Sequence, residues 1–341
     1  MLLIDAIYIH EGGAKVLLDY LMAKLEQTNM KVFYLLDDRI MQKQEIKVKS
    51  TNDILFLQSS FMKRVRFYRK YSSRFDSIFC IANVPPPIPV NSYVATYFHQ
   101  SLMLDSSALS DLKDKLIFSI KRNIVGFLTK NTTEWIVQTN TIKLQLSEKF
   151  SLTKCRIKVI PFYPPLLSSK SQSIEKESNR FLYVSNAYAH KNHKNLIEAF
   201  CRFYALRQKG KLVLTVSSKY KSIYHLIKMK QDLGFPIINL QFVDRSKLGE
   251  EYEKAEHVVF PSFTESFGLG LLEGIESGCK IIASDLPFVY AVCTPSLIFN
   301  PQDVKSIQQA FEDAVDKDVI ESEIKIYDQI NALISLFKTY C

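Results

Sequence analysis

Two carboxylates, Glu265 and Glu273, stand eight residues apart within residues 257–285, HVVFPSFTESFGLGLLEGIESGCKIIASD. The first falls in a Pro-Ser-Phe-Thr-Glu loop that follows the short apolar run 257–260. The second falls about two turns into a helix whose opening the pattern places at Ser266-Phe267-Gly268, running on through Leu269. Small residues there leave backbone N–H groups open at the positive end of the helix dipole, an arrangement that receives an anion. A phosphate site flanked by two acids that can accept from hydroxyl groups suggests a sugar nucleotide. A paired-carboxylate glycosidase is the competing use of two acids. It needs one protonated and one ionised carboxyl across a scissile bond, whereas these two surround a helix end suited to phosphate.

Other residues with chemistry to offer lie at junctions of the same kind. Lys191 follows the apolar run at 180–186 and precedes a helical pattern with Leu196, Ile197, Ala199 and Phe200, so its ammonium can reach a phosphate oxygen beside helix N–H groups. Gly12 and Gly13 end the first apolar run, 1–9, and glycine there permits positive φ and close approach of a ligand to the backbone. The dinucleotide fingerprint G-x-G-x-x-G is absent, which disfavours an oxidoreductase, and a paired-Gly turn can equally be just a turn. His99 lies in Tyr97-Phe98-His99-Gln100, at the carboxyl end of a strand-like run, where open α/β sheets keep their ligands.

The elements that must position these groups alternate in type. Strand-like runs at 1–9, 32–36, 53–57, 77–82, 93–98 and 135–138 are separated by helical or polar stretches. They recur after residue 180 at 180–186, 212–217, 237–243, 257–260, 279–283 and 297–299. Such alternation predicts α/β architecture with parallel sheets covered on both faces. The proline-rich 160–165 and the polar run 168–180 read as an interdomain linker with its boundary near 164. Asp303 can cap a helix over 304–315, and 320–340 is again amphipathic.

The string Pro261-Ser262-x-x-Glu265-Ser266-Phe267-Gly268-Leu269-x-x-Leu272-Glu273-x-x-x-x-Gly278-x-x-Ile281-Ile282-Ala283-Ser284 resembles the signature of retaining glycosyltransferases of family 4. So does Tyr188-x-His190-Lys191-Asn192-x-x-x-Leu196-Ile197-Glu198-Ala199-Phe200. The resemblance implies the GT-B architecture, two Rossmann-like domains facing a central cleft. An acceptor-side domain would span 1–163, a donor-binding domain 164–319, and a last helix within 320–341 would cross back to the first domain. It implies transfer of a hexose-type sugar from a nucleotide diphosphate donor to a glycan or lipid-linked acceptor, with retention at the anomeric carbon, in bacterial surface polysaccharide synthesis. Lys191, Gly12, Gly13 and the N–H groups around Ser266, Phe267, Gly268 and Leu269 would then face the diphosphate. Glu265 would orient donor sugar hydroxyls, Glu273 would accept from the ribose, and His99 would hydrogen-bond the sugar or stabilise developing charge. One departure stands out: the family has an arginine five residues before the lysine, and this chain has Asn186. An amide can hydrogen-bond to phosphate but cannot neutralise it. A catalytically weak or silent GT-B partner subunit therefore stays open as an alternative.

Length and composition are consistent with this. At 341 residues the chain suits two α/β domains, and its formal net charge of +9 calls for an anionic partner. A basic nucleic-acid-binding protein would also explain the charge, but no nucleic-acid recognition motif accompanies it, and nucleic acid is not the expected partner. Residues 61–75, FMKRVRFYRKYSSRF, hold six bases and no acid, interleaved with aromatics. They read either as a solvated helix face or as a segment touching anionic lipid. The basic, amphipathic run 112–130 could line an acceptor site or simply cover the sheet.

The six cysteines are scattered without a C-x-x-C pair, and no Cys/His ligand set is present, so neither a metal nor another cofactor is expected. The one Asp-x-Asp, Asp316-Lys317-Asp318, reads as a charged helix junction. The first residues lack the basic flank of a signal peptide, and no apolar run reaches the roughly 18 residues of a spanning helix. The expected location is the cytoplasm, with peripheral attachment to the cytoplasmic membrane face as a variant.

Overall fold

The computed structural model describes residues 1–41, 46–109, 111–166 and 174–340. They form two units. One comprises Met1–Ser107, Asp111–Pro164 and the chain from Tyr327 on; the other comprises Pro165–Ile326 with residues 108 and 109.

The first unit holds seven strands: β1 (Leu2–Ala6), β2 (Val32–Asp37), β3 (Asp53–Leu57), β4 (Ser77–Cys80), β5 (Tyr93–Tyr97), β6 (Glu134–Val137) and β7 (Ile157–Val159). They pair in the order β3-β2-β1-β4-β5-β6-β7, every pair parallel. All five residues of β1 are buried, as are all six of β2, because helices cover both faces and every side chain must be accommodated out of water. The opening strand stops at Ala6, short of Ile9, and the first helix starts at Gly12 itself and runs to Leu25. Strand β7, which directly precedes the proline-rich stretch 160–165, is not among the strand-like runs that the sequence pattern marks.

A charge sits in the middle of this core. Asp5 on β1 receives Arg64 Nε at 2.8 Å and the Tyr68 hydroxyl at 2.6 Å, with the Asp5 and Arg64 side chains both 1% exposed. The guanidinium also donates to the carbonyls of Pro85 and Val84 at 2.8 and 2.9 Å. Arg64 therefore belongs to the interior and not to a basic surface. The helix Phe61–Tyr71 presents Lys63, Arg66, Arg69 and Lys70 outward and turns Arg64, Val65, Phe67 and Tyr68 inward.

The second unit holds β8 (Glu177–Tyr183), β9 (Lys211–Leu214), β10 (Ile237–Asn239), β11 (Ala255–Phe260), β12 (Lys280–Ser284) and β14 (Leu297–Phe299), paired in the order β10-β9-β8-β11-β12-β14. These pairs too are all parallel. A short antiparallel pair, β13 (Cys293–Thr294) with β15 (Glu323–Ile324), stands apart. β8 begins inside the polar run read as linker; part of that run, 167–173, lies outside the described residues. Its core is aromatic: Phe181 packs edge-on against Phe311 at 4.8 Å, with Phe200 and Phe203 beside them. Asp303 caps the helix Val304–Asp316 through the Lys305 N–H.

Each sheet reverses direction of growth once, between β1 and β4 in the first unit and between β8 and β11 in the second. Loops leaving the carboxyl ends of strands at such a reversal diverge to opposite faces and leave a crevice for ligand.

The chain returns to the first unit at its end. Helix covers only Ile330–Lys338, not the whole amphipathic run, because 323 and 324 are taken by β15. Asp328 receives the Tyr163 N–H and the Tyr20 hydroxyl, Phe337 packs against Phe79 at 5.0 Å, and Tyr340 stacks on Tyr93 at 3.9 Å. Among the described residues no helix is long and apolar enough to cross a membrane.

Removing one partner of a buried ion pair strands the other charge, which costs roughly 3–5 kcal/mol. Asp5→Ala should therefore lower the stability of the first unit by about that much, and Tyr68→Phe by about 1 kcal/mol, measured by urea unfolding. An Asp5→Ala protein that unfolds at the wild-type midpoint would contradict this account of the core.

Candidate functional site

At the reversal in the second unit, the loops after β8 and β11 are fastened to each other. The Tyr183 hydroxyl, at the end of β8, donates to the Lys191 carbonyl at 3.0 Å and lies 3.1 Å from Ser262 Oγ. The Phe263 N–H donates to the His190 carbonyl at 2.8 Å. Asn192, in a left-handed conformation just before the helix His193–Arg207, donates its amide to the carbonyls of Pro261 and Pro301 at 3.1 and 2.8 Å. These bonds set Lys191 beside Glu265: Nζ lies 2.5 Å from Oε1, with the two side chains 20% and 12% exposed.

The loop then passes Ser266 and the buried Phe267 into Gly268, whose φ of +83° places it in the left-handed region. An added Cβ there would also lie 3.0 Å from the Leu271 side chain, so only glycine makes this turn without strain. The helix starts at Leu269, later than the sequence pattern places it, and ends at Glu276. Gly268 at its N-cap has no side chain with which to cap the first turn, where the Leu271 N–H bonds the Gly268 carbonyl at 2.9 Å, and a helix start without a capping side chain can receive an anion. Gly274 lets this helix lie flat on the sheet, since a Cβ would come within 2.9 Å of both Ile281 and Val258.

Glu273 is buried within this helix at 4% exposure. Burial pushes its carboxyl above the usual carboxylate range, and the Arg245 guanidinium pulls it back. Arg245 pairs with Oε1, and the Tyr252 hydroxyl donates to Oε2 at 3.0 Å. Both partners come from one helix, Arg245–Lys254. That helix and the helix of Glu273 are joined at their carboxyl ends by Lys176, whose ammonium donates to the Ala255 and Ser277 carbonyls at 2.8 and 3.0 Å. Cys279, buried beneath, lies 3.1 Å from the Tyr252 carbonyl.

Two histidines surround Lys191 without adding charge. Burial, and then the neighbouring ammonium, lower His190 to about 4 and His193 to about 3, so both rings are neutral at pH 7. Lys191 is thus the positive group aimed into the loop. Asn186 is half-buried, and its carbonyl accepts from the Tyr188 N–H and the Ser185 hydroxyl.

The remaining residues singled out by sequence belong to the first unit. His99 follows β5, and its N–H donates to Asn83 Oδ1. Its Nε2 lies 3.0 Å from the Ile81 carbonyl and 3.3 Å from Asn83 Nδ2. Burial lowers this histidine to about 4. A neutral ring can hydrogen-bond a hydroxyl but brings no positive charge at neutral pH. Gly12, with φ +74°, and Gly13 open the helix Gly12–Leu25, where neither would meet a neighbour within 4 Å if given a Cβ.

Sequence reading did not find Arg245, Tyr252, Tyr183 or Asn192. Tyr252 and Arg245 precede Glu273 by 21 and 28 residues in a charged helix that resembles any solvated one. Asn192 did carry a signal, being an Asn just before a helix, where left-handed conformations gather. Among the described residues no group of three or more His, Cys, Asp or Glu is placed to hold a metal ion. Asp316 is engaged by Arg207 at 2.6 Å.

Comparison with known proteins finds both sequence and structural likenesses. Residues 167–329 match the family described as glycosyl transferases group 1. The O-antigen chain mannosyltransferase RfbU of Salmonella typhimurium is 27% identical over 203 residues, which span 59% of this chain and 52% of that protein. The chain thus matches about half the length of that relative. Among solved structures, sucrose-phosphate synthase from Thermosynechococcus elongatus superposes with a TM-score of 0.69 at 16% identity, covering 99% of this chain and 98% of that one. HepE from Anabaena, solved with UDP and glucose, gives a TM-score of 0.68 at 13% identity over 93% of this chain and 89% of its own. At such identities the structural likeness speaks for the fold alone, two Rossmann-like α/β units of the GT-B type. The matched residues 167–329 include Lys191, Glu265 and Glu273, so it is over this second unit that the chain is similar to the group 1 glycosyl transferases.

Proposed function

We propose that the chain moves a hexose from a nucleotide diphosphate donor to a glycan or lipid-linked acceptor, in bacterial surface polysaccharide synthesis. In this reading the anomeric configuration is retained, no metal takes part, and the chain works from the cytoplasmic side. The observation that carries it is the Lys191–Glu265 pair poised before the helix N-terminus at Gly268, with a buried, ion-paired Glu273 about one turn into that helix. Glycosyl transfer separates an oxocarbenium-like sugar from a departing diphosphate, so donors preset where that charge grows supply much of the acceleration.

Lys191 and the N–H groups from Phe267 to Leu269 take the diphosphate. Glu265 keeps one oxygen on Lys191 and has the other for a sugar hydroxyl, so a single carboxylate registers sugar and phosphate together. Glu273, held through Arg245 and Tyr252, has lone pairs remaining for the ribose hydroxyls. His99 and the Gly12-Gly13 helix start are the first unit's contribution to substrate contact. The name of the Salmonella relative supports mannose as the first sugar to try, and the bound UDP of the Anabaena protein supports a uridine donor as the second.

Screening GDP- and UDP-hexoses for a rise in melting temperature tests donor binding, since a bound ligand stabilises by mass action. No shift with any of them would remove the reading. Where a donor binds, release of the nucleoside diphosphate in the presence of acceptor separates an enzyme from a silent subunit. Lys191→Ala should cut kcat by about 10²–10³, the scale for losing one preset group at a developing charge. Glu273→Gln should act chiefly on donor KM. Because Asn186 leaves one phosphate charge unneutralised, Asn186→Arg should tighten donor binding and raise kcat/KM. A loss of activity in that variant would show that the site is built without room for the guanidinium.

A further inference from the structure

The helix Leu112–Leu128 departs from the usual placing of apolar residues. Its inner side, Val125 and Leu128 with the half-buried Phe118, packs on the core around Trp135 and Phe98. Its outer side is apolar as well: Leu112, Leu116, Ile120 and Phe127 are 80%, 62%, 52% and 72% exposed, and Ile117 and Ile124 are 37% and 44% exposed. At ~100° per residue these six fall within an arc of about 140°. One contiguous stripe facing water on an otherwise ordinary unit marks a contact surface, not scatter.

The charges around the stripe identify the occupant. Lys113, Lys121 and Lys130 are exposed on or beside it, with Arg122 and Lys149 along its flank, while the acids Asp111 and Asp114 are confined to the first turn, where Asp111 caps the helix. The Lys130 ammonium lies over the exposed Phe127 ring at 4.8 Å, so that cation sits at the level of the apolar surface, and that of Lys121 lies over Phe118 at 5.1 Å, at the margin between the stripe and the core-facing side. Next to the stripe, Arg122, Asn123, Gly126, Lys149, Phe150 and Ser151 line an open concavity that carries two bases and no acid. Apolar side chains rimmed by cations, with a basic hollow alongside, suit a plane that is apolar inside and negative at its surface.

We propose that the outer face of Leu112–Leu128 docks on an anionic lipid bilayer. Leu112, Leu116, Ile120 and Phe127 enter the headgroup boundary, Lys121 and Lys130 stay at phosphate level, and the Arg122–Lys149 hollow takes a lipid headgroup. This differs from the contact that sequence suggests for residues 61–75. There the aromatics Phe67, Tyr68 and Phe75 and the base Arg64 are buried, and the exposed bases lie beside only Phe61 and Met62 among exposed large apolar residues. The inference stands independently of the sugar donor.

Co-sedimentation of the full chain with vesicles tests it, using phosphatidylcholine alone and phosphatidylcholine with about one third phosphatidylglycerol. Wild type should sediment with the anionic vesicles and much less with the neutral ones. Leu116→Ser with Phe127→Ser, both already exposed, should weaken binding at least tenfold, and Lys121→Glu with Lys130→Glu should erase the preference for anionic lipid. Wild-type sedimentation by the Leu116→Ser, Phe127→Ser protein would overturn the proposal. So would loss of binding confined to Lys63→Glu with Arg69→Glu on the other helix. A wild-type dimer that becomes monomeric in the Leu116→Ser, Phe127→Ser protein and sediments with neither vesicle would also overturn it and assign the stripe to a second copy of the chain. Thermal stabilisation by nucleotide sugar should be the same in all these variants, so failure of docking and failure of the donor reading remain separate results.

Discussion

A carboxylate taken out of water must find compensation or lose its charge. Glu273 finds it in one guanidinium and one phenol on a single neighbouring helix, and much of the second unit is arranged to keep those groups in place. Gly274 brings the helix of Glu273 down onto the sheet, Lys176 joins the two helices at their carboxyl ends, and Cys279 fills the space beneath Tyr252. Lys176 acts there as a tethered cation, answering carbonyls that the ends of both helices leave without an intrahelical partner. The two helices are thereby fixed in rotation relative to each other, and the carboxylate is held in direction as well as in charge.

At the other end of the same helix the problem is reversed, since here charge has to be available. The neutral histidines beside Lys191 make this possible. Were His190 and His193 protonated at pH 7, the loop would hold three positive groups against one Glu265, and the lysine would be pushed from its bond. Their burial keeps the local balance at one cation and one anion. Tyr183 serves both loops through one hydroxyl, so a shift in either strand end would be felt at the ammonium.

What could be read in advance follows from how local each signal is. The parallel sheets were legible because buried strands such as Leu2–Ala6 and Val32–Asp37 are mostly apolar, each carrying one aspartate, and the Gly268 turn because the whole string around it is distinctive. The partners of Glu273 were not, because a contact across 21 or 28 residues leaves no periodic trace. β7 was too short, at three residues, to show a pattern, and the start of β8 was hidden by polar residues that tertiary pairing overrides. Arg64 was misread for the same reason: a run of bases looks uniform in sequence, and only Asp5, far off in the chain, decides which of them turns inward. The run 112–130 was read as amphipathic, but periodicity does not say which side of a helix meets the core.

The return of the last helix to the first unit has a consequence for how the chain is made. The first unit is discontinuous, and Pro165–Ile326 is in effect inserted into it. On a ribosome working at ~5–20 residues per second, roughly ten to thirty seconds separate completion of the seven-stranded sheet from arrival of the segment that finishes its unit. During that interval Phe79 and Tyr93 wait for Phe337 and Tyr340, and the Tyr20 hydroxyl for Asp328. The inserted unit has every strand of its sheet within one continuous stretch, so it can close first, and the order of folding along this chain need not follow the order of synthesis.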